Sequence, residues 1–416
     1  MEADSKGREN YIMNTSQSRV SPLMLLMANM FIAMLGIGLI IPVLPEFLKE
    51  FGAGGKTAGY LVAAFGLTQF LCSPIAGEWS DKYGRKVMIV SGLALFTLSN
   101  FLFAAASDVW VLYLSRLLGG IGAASMIPSI MAYIADVTTE EKRGKGLGLL
   151  GAAMSLGFVI GPGIGGFLAE LGLRTPFYVS AGVGAVAMVS SLLLLPESLT
   201  KEIRQANRNK VVQKVSMFKQ FAQSFKAPYF IFLLLIFTLT FGLSNFEAIF
   251  PLFVDKKYNF TARDISILIT VGALIGAIIQ AVLIDKLIRR FGERTLINST
   301  FLLSAASLIL MLLSGNFWYI LLVTLFFFTF TSIMRPAINT LLSKMAGEEQ
   351  GFVAGMNNAY MSLGNIFGPA LAGILYDVHL DFPYIFGAII LLGSFALSVM
   401  KGRTRDVRGE LKADAQ

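Results

Sequence analysis

Glu247 is the one acid standing well away from the polar ends of its apolar run, 228–254; Asp136, Glu170 and Asp377 stand at the ends of theirs. At about 1.5 Å per residue it falls roughly 9 Å outside the middle of that run. A carboxylate at such depth is costly when charged and readily neutral, as a proton carrier must be. Arg116, counted the same way in 110–134, also falls roughly 9 Å outside its midpoint. The two could meet across a central cavity. Each has another role open to it: Glu247 hydrogen-bonded to Asn245 or Ser244, Arg116 capping carbonyls within its own half.

The elements that hold these charges are apolar helices. The 416 residues are 55% hydrophobic and 14% charged, which excludes an ordinary water-soluble globule. Runs near 20 residues long fall at 23–45, 58–80, 87–106, 110–134, 147–169 and 177–196. After a polar segment they resume at 228–254, 265–288, 295–314, 317–342, 352–375 and 383–400. The expected fold is an all-α membrane protein of twelve transmembrane helices in two pseudo-symmetric six-helix bundles. The expected divisions are an N-tail 1–22, bundles 23–196 and 228–400, a central linker 197–227 and a C-tail 401–416.

Placing both termini in the cytoplasm puts 26 of the 34 Lys and Arg on the inner side and 6 outside, with Arg116 and Arg335 within spans. That bias accounts for the net charge of +8 without a nucleic-acid partner. One cysteine, Cys72, excludes an intrachain disulfide, and one histidine, His379, leaves no metal-ligand cluster. No catalytic His/Cys/Asp or Ser constellation and no phosphate-binding G-x-x-x-x-G-K-[ST] segment occurs. The expectation is a carrier, not an enzyme, with no cofactor and no metal.

The two halves repeat. "GFVIGPGIGGFLAE" at 157 and "GNIFGPALAGILYD" at 364 share G-x-x-x-G-P at an offset of 207 residues; Pro128 and Pro336, and Glu141 and Glu349, repeat at 208. A parallel repeat of six spans has its pseudo-twofold axis along the membrane normal. Gly157, Gly161, Pro162, Gly165 and Gly166 are expected to form a surface on which the halves slide, with the proline adding a bend. Ordinary small-residue packing inside one half is the alternative.

"GEWSDKYGRK" (77–86), between the second and third spans, reads as an inner latch. Gly77 and Gly84 permit a tight turn, Asp81 can accept from a helix N-terminus, and Arg85 can pair with a carboxylate. A plain positive-inside loop would need only its cations. "DKLIRRFGER" (285–294) is a weaker copy holding Asp285, Arg289 and Arg290.

These motifs, with "LYLSRLLGGIGAA" (112–124) and "NMFIAMLGIGLIIPVLP" (29–45), resemble the twelve-span drug:proton antiporters of the major facilitator superfamily. "FGLSNFEAIFPLF" and "MRPAINTLLSKMAGEEQGF" are similar to the NorA- and Bmr-type multidrug exporters of Gram-positive bacteria. The resemblance covers nearly the whole chain. It implies that the span-5 Gly-Pro segment is the antiporter signature, that Arg85 pairs with Asp136, and that Asp81 meets the N-terminus of span 11. Ser332 stands where such relatives often carry Asp, which leaves proton stoichiometry open. Arg335, roughly 8 Å inside the middle of its span, could supply a charge interaction or snorkel inward.

The family's cavity-facing spans offer Phe31, Met34, Phe65, Gln69, Phe158, Phe246, Phe328, Met334 and Asn365, with Glu247 favouring cations. The linker is basic, and Val215, Phe218, Phe221, Ala222 and Phe225 give its later part amphipathic spacing suited to the inner membrane surface, where it would tether the two halves; for its first part a disordered linker is the alternative. Together these imply a monomeric bacterial inner-membrane antiporter. It would exchange protons for small amphipathic, often cationic drugs, with the lipid bilayer as its other partner. The alternative is a major-facilitator transporter of one metabolite.

Overall fold

The computed structural model describes residues 21–209 and 217–413. Most of the expected N-tail, and Val215 in the linker, lie outside the described residues. Among the described residues twelve long helices follow in order: α1 (Pro22–Ile40), α2 (Gly55–Tyr83), α3 (Arg85–Ala104), α4 (Val109–Val137), α5 (Glu140–Ala169) and α6 (Thr175–Leu194), then α7 (Phe230–Tyr258), α8 (Ala262–Ile278), α9 (Glu293–Leu310), α10 (Phe317–Ala346), α11 (Gln350–Val378) and α12 (Phe382–Ala413). α8 continues through a π turn, Ile279–Leu283, into a helix Ile284–Phe291. Among the described residues ten helices are long and apolar enough to cross a membrane. The other two are α9, which carries Ser, Thr and Asn along its length, and α11, which carries Gly, Asn and Ser.

The chain forms two compact units. One takes the residues up to Gly52 and from Ala64 into the linker; the other takes Ala53–Ala63 and everything after the linker. The start of α2 therefore groups with the second unit. There Gly55 lies against Tyr376, and Gly59 against the Pro369 carbonyl, approaches that a Cβ would block. Asp377 accepts from the Gly55 and Lys56 amides at 2.8 and 3.0 Å.

Inside each unit the helices pack in the same scheme. α1 lies on α5 and α6 as α7 lies on α11 and α12; α3 lies on α4 and α6 as α9 lies on α10 and α12. The repeat extends to backbone detail. Asp108 caps α4 through the Trp110 and Val111 amides, and 208 residues later Asn316 caps α10 through those of Trp318 and Tyr319. Gly84 and Gly292, at the same offset, turn the chain into α3 and α9 with φ of 116° and 74°.

Gly157, Gly161 and Gly165 do not form a surface for the opposite half. They lie on one face of α5, covered by α1 of the same unit. A Cβ on Gly157 would come within 2.4 Å of the Phe31 carbonyl oxygen, and one on Gly165 within 2.3 Å of that of Leu39. Gly364 and Gly368 approach α7 in the same manner, against Phe237 and Phe241. Lipid supplies no hydrophobic drive between helices, so close backbone approach is what holds such a pair. The α5–α1 and α11–α7 approaches are therefore the same small-residue contact, made once in each unit; Pro369 and Gly373 of the second copy also approach the start of α2.

Gly161→Ala places a methyl 2.8 Å from both the Gly38 Cα and the Leu35 carbonyl oxygen, whereas Gly182 in α6 has nothing within 4 Å. Thermal unfolding in detergent should show Gly161→Ala destabilised by about 1–3 kcal/mol. Gly182→Ala should be neutral or stabilised by up to about 1 kcal/mol.

Candidate functional site

In the first unit the α2–α3 turn is organised around Arg85, which is 8% exposed. Its Nη1 lies 2.6 Å from Asp81 Oδ1 and donates to Ser80 Oγ at 3.1 Å, while its Nε donates to Asp136 Oδ2 at 3.1 Å. Ser198 Oγ donates to the same Asp136 oxygen at 2.8 Å. A guanidinium with two carboxylates and a hydroxyl around it is neutralised and oriented, so one arginine ties α2 and α3 to the end of α4.

The weaker copy predicted at 285–294 takes a different form. Asp285, Arg289 and Arg290 are exposed, and the pair that forms is Glu293 with Lys344. Their positions are those of Arg85 and Asp136 shifted by 208, with the charges exchanged. The 208-residue offset relates the two pairs; the residue types of the 77–86 motif do not. Lys344 is 62% exposed against 10% for the Arg85 side chain.

In the second unit Glu247 is half-buried on α7, within charge-interaction range of Arg335 on α10. Counted from the apolar runs, these residues lay far from their span centres. The helices run on to Tyr258 and Ala346, which moves their midpoints to within about 5 Å of each charge. Arg116 has a different neighbour inside its own unit: its guanidinium carbon sits 4.1 Å from the centroid of the Phe103 ring. Such stacking is worth about 2 kcal/mol when desolvated. Within the second unit, Arg335 is thus the charge partner of Glu247. Ser244 donates to Asn365 Oδ1 at 2.6 Å instead of to Glu247. Ser332 Oγ donates to the Thr329 carbonyl of its own helix at 2.8 Å.

The aromatic candidates divide by burial. Phe31, Met34, Phe65, Gln69 and Phe158 are half-buried, and Asn365 is exposed. Phe246 is 2% exposed, its ring centroid 4.4 Å from that of Phe327 and 4.7 Å from that of Phe250. Phe328 stands edge-on to it at 5.9 Å, and Met334 is fully buried. Phe246, Phe328 and Met334 are therefore packed in the core, whereas Glu247, one position on from Phe246 and about 100° round the helix, is half-buried.

At the base of α7, Tyr229 donates to Glu349 at 2.9 Å. Burial first, then that hydrogen bond, pushes its phenol up to about 12, so it remains a donor at neutral pH.

The model of the Major Facilitator Superfamily matches residues 26–295 and 232–415. The chain belongs to the major facilitator superfamily. It is 46% identical to multidrug resistance protein 1 of Bacillus subtilis over 378 residues, covering 91% of this chain and 95% of that protein. It is 38% identical to the quinolone resistance protein NorA of Staphylococcus aureus, covering 91% and 95%. Among solved structures, a bacterial homolog of the human lysosomal transporter Spinster superposes with a TM-score of 0.74 at 15% identity, covering 92% of this chain and 96% of that one. The likeness to that structure establishes the fold.

Removing a partner costs more the more buried the ion pair is, whereas an exposed pair contributes about 0–1 kcal/mol; the Arg85 and Asp136 side chains are 10% and 23% exposed. Asp136→Ala should therefore lower the unfolding temperature well beyond Lys344→Ala, measured on the detergent-solubilised protein. Equal shifts would show that burial does not separate the two pairs.

Proposed function

We propose that the protein is a proton-coupled multidrug exporter working by alternating access, with Glu247 as the proton carrier. The observation that carries this reading is a half-buried carboxylate within an otherwise apolar stretch of α7, beside the arginine of α10. The family membership and the names of the similar proteins support it.

An ionised Glu247 satisfies Arg335 and favours a cationic substrate. A proton arriving from outside neutralises the carboxylate, removes that attraction and releases the drug; loss of the proton inside restores it. The half-buried Phe31, Met34, Phe65 and Phe158 give adaptable apolar surface for amphipathic compounds. The proton gradient is the energy source and no cofactor takes part. The site is a multi-pass inner-membrane one, with both termini cytoplasmic and the chain acting as a monomer. The α2–α3 turn, lying on the cytoplasmic side, is the gate latch in this scheme.

Efflux of a fluorescent cationic dye from energised cells tests the reading. Wild-type efflux should collapse on adding a protonophore, and Glu247→Gln, inserted normally, should show no uphill transport. A Glu247→Gln protein that still pumps against the gradient would move the coupling site elsewhere.

A further inference from the structure

The start of the linker is built onto the α2–α3 turn. α3 begins after Gly84 with no side-chain cap of its own, leaving its first amides in need of acceptors. Glu197, 112 residues on, supplies them: Oε1 accepts from the Arg85 amide at 2.8 Å and Oε2 from the Lys86 amide at 3.2 Å. The same Oε1 accepts from the Ser198 and Leu199 amides at 3.1 and 3.3 Å, locking the carboxylate's own turn. A Cβ on Gly84 would stand 2.2 Å from Glu197 Oε2, so glycine is required for this approach.

The other side of the turn is held too. From the short helix Lys201–Asn209, Asn207 Nδ2 donates to the Asp81 carbonyl at 3.2 Å, Arg208 Nε to that of Lys82 at 3.2 Å, and Arg204 Nη1 to that of Tyr83 at 3.4 Å. Arg208 also lies over the Tyr83 ring at 5.2 Å. A carboxylate at the start of α3 and two guanidiniums at the end of α2 each oppose the favourable end of a helix dipole. Just upstream, Tyr133, fully buried, donates to the Pro196 carbonyl at 2.9 Å and fixes where the segment starts.

We propose that residues 197–208 form a clamp that holds the α2–α3 turn so that Arg85 reaches Asp136, with Glu197 as its positioning residue. The linker is then a working part of the gate, beyond its role as a tether. This rests on the reading of the α2–α3 turn as a gate latch. Glu197 touches no substrate; it acts through the backbone that presents Arg85. Ser198, on Asp136, joins the clamp to the far side of the same ion pair.

The test uses full-length protein with Glu197→Ala, Glu197→Gln, Asp136→Asn, the Glu197→Ala/Asp136→Asn pair, and the triple Arg204→Ala/Asn207→Ala/Arg208→Ala. Hydrogen exchange reports on the clamp without reference to any substrate. Glu197→Ala should speed exchange at the Arg85 and Lys86 amides by about tenfold or more. Glu197→Gln, which keeps one carbonyl acceptor, should fall between, and so guards against misreading a folding defect. In dye efflux, Glu197→Ala and the triple variant should lower the maximal rate while KM stays nearly constant. The paired variant should be no slower than Asp136→Asn alone, because both changes act through one contact. Unchanged exchange in Glu197→Ala, or rate losses that multiply in the paired variant, overturns the clamp. If exchange responds as expected but wild type moves no dye, the clamp stands and the drug-efflux reading fails.

Discussion

Close backbone approach between α5 and α1, repeated between α11 and α7, is the contact on which each unit depends. Gly157, Gly161 and Gly165 bring α5 to distances at which a methyl would overlap main-chain atoms of α1. In lipid, apolar side chains gain little by leaving their surroundings, so interpenetration of backbones has to supply what burial supplies in water. With that pair formed, α6 completes the α1 side and α3 and α4 pack on it; the second unit repeats the order.

On that frame the protein sorts its charges by depth. Arg85 is nearly buried at a helix turn with carboxylates and a serine around it, and the linker supplies the remaining backbone partners. Deeper, Glu247 on α7 lies within charge-interaction range of Arg335 on α10, and Arg116 rests on an aromatic ring. Each uses a different means of offsetting desolvation: paired charge, distributed hydrogen bonds, or a π face.

The repeat carried more information than motif spelling. Applied to Arg85 and Asp136, the 208-residue offset leads to Glu293 and Lys344, a pair with reversed polarity that no search for an aspartate and an arginine would find. An ion pair keeps its geometry when its charges are exchanged, so position is retained where residue type is not. The same offset relates Asp108 to Asn316 as helix caps, since either side chain can accept from the first amides.

Apolar run length, the Lys and Arg distribution and the repeat were enough to define an all-helical membrane protein of two similar halves, because hydration of a helix face is a local property of its residues. They also singled out Glu247, since a lone carboxylate in an apolar run is costly wherever the helix lies. Partners were decided only in three dimensions. How deep Glu247 and Arg335 lie depends on where α7 and α10 end, and the apolar runs stop several residues short of both ends. Whether a glycine faces a neighbouring helix or an opposite half depends on helix rotation, which a small-residue pattern leaves undetermined. Glu197 carried no signal in sequence, for an acid at the head of a basic linker gives no indication of the helix start, 112 residues earlier, whose amides it binds.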